Sequence, residues 1–314
     1  MRIIAIEEHF TTEQLIRAEG GAAGGGPIRQ LLDLGADRIA DMDAAGVDLQ
    51  VISTRAPAVQ NLQASEALPV AREANDVLAA AITAHPDRFA GFATLPTPAP
   101  GLAAAELDRA VRELGFKGAI LHGHTGGRFL DDQEFWPIFE CAQALGVPLY
   151  LHPTPPTPAV FDAYFTGVDP RVAGSLARAG WGWHAETGLH ALRLMVSGVF
   201  DQFPRLQLII GHMGENLPFS IARADQALRP TTSHLKRTVA GYFAANFYIT
   251  TSAYFTVPPL QCALSVVGAD RIMFSVDYPF CSAQDGTAFL RSAPLAPADL
   301  QKIAHGNAER LLNL

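Results

Sequence analysis

The chain has 314 residues, of which 49% are hydrophobic and 17% charged, and a formal net charge of −8. That is apolar sequence enough for a large core, at a length normal for one α/β barrel, which excludes a disordered chain. The acidic balance, with no dense Lys/Arg block, argues against nucleic acid, and no apolar run approaches the roughly 20 residues that cross a bilayer.

The chain opens as a strand over 2–9, not as a charged-then-apolar leader. Glu7 and His9 stand two apart near its end, so they share one face while Glu8 takes the other. GGAAGGGP (20–27) follows. It lacks the Lys-Ser/Thr of a phosphate loop and opens no helix, so it reads as a mobile loop over a barrel mouth. A second strand over 47–54 stops at Arg55, a helix spans 66–85, a third strand spans 89–96 and a helix 101–115.

The fourth strand, 118–123, runs into LHGH. His122 and His124 share parity there; they hydrogen-bond a substrate, or one of them is structural. No lysine stands at this strand's C-terminal end, and Lys117 lies at its start. A lysine bridging two metals is therefore not expected, and one metal is. After a helix over 132–146, the fifth strand, 148–153, ends PLYLHP with His152. A lone histidine there is either a ligand or merely hydrogen-bonded, and the company of Glu7, His9 and Asp277 favours the ligand. The long connection 153–187 carries Phe161, Tyr164, Phe165, Trp181 and Trp183. Such a segment suits a substrate wall or a subunit contact better than a solvated linker.

A helix over 184–203 leads to the sixth strand, 206–212, which opens into GHMGE and a helix over 214–226. Glu215 either favours the helix N-terminus or orients His212 as an acid–base group, and the second reading is preferred. Arg223 on that helix and Arg55 meet a substrate carboxylate or form surface ion pairs. Strands over 247–253 and 272–277 follow, with helices over 257–267, 284–294 and 297–313. The last strand ends on Asp277, a buried carboxylate that is costly unless paired or metal-bound.

Eight continuous apolar strands alternating with amphipathic helices predict one (β/α)8 barrel domain over 1–314, with long loops over its C-terminal face. Carboxylates and imidazoles at the C-terminal ends of its strands predict a site for one divalent metal, zinc or manganese, with no organic cofactor. Three cysteines at unrelated spacings form neither a disulfide framework nor a thiolate metal site, which fits a reducing cytoplasm.

These residues lie in motifs that run nearly end to end: EEHF (7–10), APAVQ (56–60), LHP (151–153), WGWHAET (181–187), SGVFDQFPRLQLIIGHMGE (197–215), DYPF (277–280) and GNAERLL (306–312). In them the chain resembles the amidohydrolase superfamily, within its decarboxylase branch. It looks most like the γ-resorcylate, 2,3-dihydroxybenzoate and 5-carboxyvanillate decarboxylases, whose first strand carries Glu-x-His where many relatives carry His-x-His. The resemblance implies that Glu7, His9, His152 and Asp277 hold the metal. It implies that His212 and Glu215 assist, that Asp277 gives a proton to the ring, and that CO2 leaves a hydroxylated aromatic acid without oxidation, reversibly. It also implies a homodimer or homotetramer, and it sets Phe280 beside the substrate. Two positions depart from the pattern, His122 where relatives more usually have Asn, and Arg55 where a smaller or uncharged residue is expected. The alternative on the same fold is a hydrolase of a lactone, ester or amide, with Asp277 as base.

Overall fold

The computed structural model describes residues 1–21 and 27–314. The expected mobile loop over 20–27 falls mostly on residues outside these. Eight parallel staves follow one another around a barrel. They are β1 (Ile4–Phe10), β2 (Leu49–Thr54), β3 (Phe89–Gly91, resumed at Ala93–Thr94), β4 (Ala119–His122), β5 (Leu149–His152), β6 (Leu208–Ile210), β7 (Phe247–Thr250) and β8 (Ile272–Met273). Each pairs with the next in parallel register, as in His122 opposite His152 and Leu151 opposite Ile210. Across Phe92 the ladder carries on through Phe92 N donating to Ile52 O and Ala93 N to Gly118 O, both at 2.9 Å. Beyond Met273 the chain stays beside β1, where Asp277 N donates to Glu7 O (3.1 Å) and His9 N to Tyr278 O (2.7 Å). These two bonds close the ring, leaving no open edge to the sheet.

The strands are buried on both faces, which is why they read as unbroken apolar runs. Ile4, Ile6, Val51, Phe92, Ile120, Tyr150, Ile209 and Met273 fill the lumen, and Ala308 and Leu312 of the last helix pack onto the same cluster. The alternate residues, such as Ala5, Ile52, Leu149, Leu151 and Ile249, meet the surrounding helices in the larger core. Strict alternation from Ile4 and Ile6 would turn Glu8 inward. Instead the register slips between Ala5 and Glu8, so that Ile6 and Glu7 together oppose Val51. This bulge re-aims the strand end, and Glu7 and His9 face the lumen together.

The structure adds helices Glu13–Ala18, Ile28–Leu32, Ala36–Ala45 and Val239–Asn246 where none is expected, and three further differences bear on the site. The connection 153–187 is not a plain loop; it holds helices Pro158–Tyr164 and Pro170–Ser175 and a wide turn over Leu176–Gly180. Proline at the first helical position starts both helices, a signal masked by the proline-rich sequence around it. The helix expected over 184–203 begins at Gly182 and breaks after Val196, where Gly198 turns left-handed at φ 88°. The helix expected from 214 starts at Leu217, because the preceding residues form a left-handed turn.

Candidate metal centre and acid–base site

Past the bulge in β1, strand alternation brings polar residues to the mouth above the apolar filling. On β5, Tyr150 lies in the lumen and His152 two residues above it. Thr250, the last residue of β7, and Ser252 stand in the same relation. Glu7 is fully buried among them: Tyr150 Oη and Ser252 Oγ donate short hydrogen bonds to its Oε2, and Thr250 Oγ1 donates at 3.1 Å. Three hydroxyls on one oxygen leave the other, Oε1, without a hydrogen bond among the described residues. Both ring nitrogens of buried His9 are likewise unpartnered. His152 Nε2 stands 3.3 Å from Glu7 Oε1, and His9 Nε2 stands 3.2 Å from Asp277 Oδ1. One donor atom from each of Glu7, His9, His152 and Asp277 lies within 4.8 Å of all the others. Buried polar atoms left unpaired cost free energy, and a cation placed among these four would satisfy them. The donor set therefore fits a divalent metal.

Protonation in the cluster follows from burial and charge. Burial raises Glu7 above the ordinary carboxylate range, against the opposing charge of His212 and His9. Burial depresses His152 well below the ordinary imidazole range, reinforced by His9 and His122, so it presents a neutral nitrogen suited to ligation. Asp277 is also buried, yet its two imidazole neighbours, His212 and His9, hold it below the usual carboxylate range. Glu8, on the opposite face of β1, grips the seam: its Oε1 accepts from Val276 N (2.9 Å) and Ser275 Oγ (3.2 Å), and its Oε2 from Tyr278 N (3.0 Å). Asp277 sits between these anchored peptides, itself at φ 74°.

The turn after β6 sets the second group of side chains. Positive φ runs through His212 (50°), Met213 (56°), Gly214 (86°), Glu215 (53°) and Asn216 (63°). A left-handed turn costs each non-glycine residue roughly 1–2 kcal/mol, a strain that persists only where the surroundings impose it. The return is geometric. His212 Nδ1 donates to Glu215 Oε1 at 2.7 Å, and His212 Nε2 is turned toward Asp277 Oδ2 at 3.8 Å. Burial works against a charged His212, but the carboxylates of Glu215 and Glu7 outweigh it and hold the imidazole well above its ordinary range. His212 thus faces Asp277 through Nε2 while Glu215 orients its ring through Nδ1.

A cavity of about 580 Å³ opens onto these residues, lined by His9, His152, His212 and Asp277 and walled by Trp183, Tyr254 and Phe280. Phe280, 46% exposed, stands 5.9 Å from the His9 ring. Four residues read as substrate contacts do not line it. Arg55 is held by an ion pair with Glu19 and by a hydrogen bond to Ala56 O (2.9 Å). His122 faces the lumen but donates from Nε2 to Thr54 O at 2.9 Å, and burial pushes it down to about 3. His124 Nδ1 accepts from Gly127 N at 3.1 Å, a local turn bond. Arg223 is exposed on its helix and donates to Gln226. Strand parity beside His152 carried a usable signal for Tyr150, and the same holds for Thr250 and Ser252, none of which was singled out. His184 had no such signal.

The profile of the amidohydrolase family matches residues 29–314. A γ-resorcylate decarboxylase from a Polaromonas species is 40% identical, the alignment covering 99% of this chain and 98% of that one. The crystal structure of a dihydroxybenzoic acid decarboxylase from Polaromonas, with bound manganese and the inhibitor 2-nitroresorcinol, superposes with a TM-score of 0.89. It is 39% identical, covering 100% of this chain and 97% of that one. The 5-carboxyvanillate decarboxylase of Sphingomonas paucimobilis gives 0.92 at 33% identity, covering 100% and 99%. With its eight-staved barrel, its ring of carboxylates and imidazoles at the C-terminal mouth and this end-to-end likeness, the chain belongs to the amidohydrolase family, alongside that family's decarboxylases.

Proposed function

We propose that this enzyme removes CO2, without oxidation, from a hydroxylated benzoate of the dihydroxybenzoate type. The observation that carries the proposal is the pairing of two neighbouring units. One is the unsatisfied donor set of Glu7, His9, His152 and Asp277, and the other is His212, held by Glu215 with its Nε2 directed at Asp277. Glu7, His9, His152 and Asp277 would hold one manganese or zinc ion. When bound, that ion would fix the substrate's carboxylate and adjacent phenolic oxygen and withdraw charge from them.

The rest of the chemistry falls to side chains. Trp183, Tyr254 and Phe280 wall a slot suited to a flat ring. The costly step adds a proton to the ring carbon that bears the carboxylate. Asp277 delivers that proton from Oδ2, and His212 resupplies it through Nε2. Glu215 stabilises the positive His212 before transfer and keeps its Nε2 aimed afterwards. The carbon–carbon bond then breaks, its electron pair returns to the ring, and CO2 departs. The reverse carboxylation uses the same groups at high bicarbonate.

The tendency of Asp277 to stay ionised favours the alternative, a hydrolase in which Asp277 is the base. The proton supply at His212 and the full-length likeness to decarboxylases favour the lyase. Turnover of 2,6-dihydroxybenzoate in D2O, and separately in oxygen-18 water, separates the two. Deuterium at the former carboxyl carbon, with headspace CO2 and no solvent oxygen in the organic product, is expected. Solvent oxygen in the product without CO2 release would promote the hydrolase.

We also propose that the enzyme works in the cytoplasm as a homodimer or homotetramer. Supporting this are its three free cysteines and the exposed large apolar side chains Tyr164, Trp181, Leu189 and Phe219. Light scattering that returned a monomer mass would dismiss the assembly.

A further inference from the structure

One buried imidazole has no part in the scheme above. His184, in the first turn of helix Gly182–Val196, is 5% exposed and borders the cavity. Its Nδ1 stands 2.7 Å from Glu215 Oε2, and its Nε2 stands 3.1 Å from Ala179 O. Its ring meets His212 edge-on, with centroids 5.0 Å apart. Glu215 is thus held by two imidazoles, one on each oxygen: His212 on Oε1 and His184 on Oε2.

We propose that His184 is a positioning residue for the acid–base pair: it fixes the second oxygen of Glu215, and through it the orientation of His212 toward Asp277. The inference rests on the reading of His212 and Glu215 as the proton-handling pair. Its physical ground is the carboxylate's freedom. A buried carboxylate bonded through one oxygen alone can swing about its terminal torsion, and its other oxygen is left desolvated. The backbone is shaped for the contact. At Gly188, on the same helix, an added Cβ would stand 2.7 Å from Glu215 O, so only glycine lets the helix press this close. At Gly182 it would stand 2.3 Å from Ala177 O, so only glycine lets the start of this helix lie against the 176–180 turn.

The same three side chains could converge on a second cation. Their 2.7 Å nitrogen–oxygen separations are instead those of charge-assisted hydrogen bonds.

Two near-isosteric variants divide the roles. His184→Asn places an amide N–H where Nδ1 stood and keeps the bond to Glu215. His184→Gln places one where Nε2 stood and keeps only the bond to Ala179. Zinc-loaded protein with 15N-labelled histidine is read by NMR without substrate, alongside kcat, KM, metal content and melting temperature. In the Gln variant the His212 Nδ1–H resonance should shift and kcat fall about ten- to a hundredfold, the usual cost of removing a supporting hydrogen bond behind a site. KM and metal content should hold, and the Asn variant should stay near wild type in every readout. Retained activity in Gln with loss in Asn would overturn the proposal, leaving His184 as a staple for the 176–180 turn. An unmoved His212 resonance in Gln would overturn it too, as would two zinc ions per chain falling to one in both variants. If wild type released no CO2 from any hydroxybenzoate, the decarboxylase reading would fail, and the His212 resonance alone would decide the role of His184.

Discussion

Gly211 offers a test of the metal centre that touches no ligand. Its φ of −75° suits any residue, so alanine there meets no backbone penalty. What it meets is Glu7. A Cβ on Gly211 would lie 2.7 Å from Oε2, 3.0 Å from Oε1 and 3.0 Å from the Tyr150 hydroxyl, whereas ordinary contact begins at 3.4 Å. Oε2 must therefore retreat by about 0.7 Å in a close-packed interior. Any such move disturbs the hydrogen bonds that Oε2 accepts from Tyr150, Thr250 and Ser252. Overpacking of this kind costs roughly 1–3 kcal/mol of stability. Misplacement approaching 1 Å at a reacting centre costs about a hundredfold in rate. Gly211→Ala should stay folded, bind manganese or zinc more weakly and lose about tenfold to a hundredfold in turnover. Chelator competition for metal affinity, urea unfolding for stability and headspace CO2 for rate would be measured together. Wild-type metal affinity with wild-type turnover would show that the Glu7 clamp does not set the geometry of the centre.

Asp277→Ala and His152→Ala should each abolish or greatly weaken metal binding in elemental analysis, and full occupancy with full activity in both would refute the ligand set. His212→Asn and Glu215→Gln should instead keep the metal and lose turnover on the order of 10²–10⁴, the range for acid–base groups; loss of metal in either would make that residue a ligand. Glu106 predicts an acid transition in stability. Its carboxylate is desolvated, but hydrogen bonds from Arg109, Asn75 and Arg72 outweigh burial and depress its pKa in the folded state. A depressed carboxylate stabilises the fold above its unfolded pKa and loses that contribution as pH falls through the folded value. Glu106→Gln should therefore be less stable than wild type at pH 7 and converge with it in acid below the model-peptide value of about 4.3, by urea midpoints across pH. A gap that persists unchanged into acid would contradict this.

The barrel and the four candidate ligands were legible in the sequence for one reason. Parallel strands buried on both faces must be continuously apolar, so a Glu, His or Asp at such a strand's end stands out against its neighbours. The run IMFSVDYP marks Asp277 in that way, and PLYLHP marks His152. Segments that carry no period were not legible. The two short helices in 153–187 gave no amphipathic stripe, and the expected helix start at 214 yielded to a left-handed turn that only tertiary contacts can hold. Nor does local sequence report which charges meet. Arg55 turned to Glu19 rather than to the cavity, and Arg223 stayed in solvent, because partners are chosen by the fold. His184 shows the same limit from the other side. It lies 31 residues from Glu215, in a glycine- and tryptophan-rich stretch with no strand end to mark it. Periodicity along the chain thus determined the elements and their polar ends. The one-residue slip in β1, the turn at His212 and the two imidazoles on Glu215 were decided by packing, because each is stable only when residues far apart in sequence close around it.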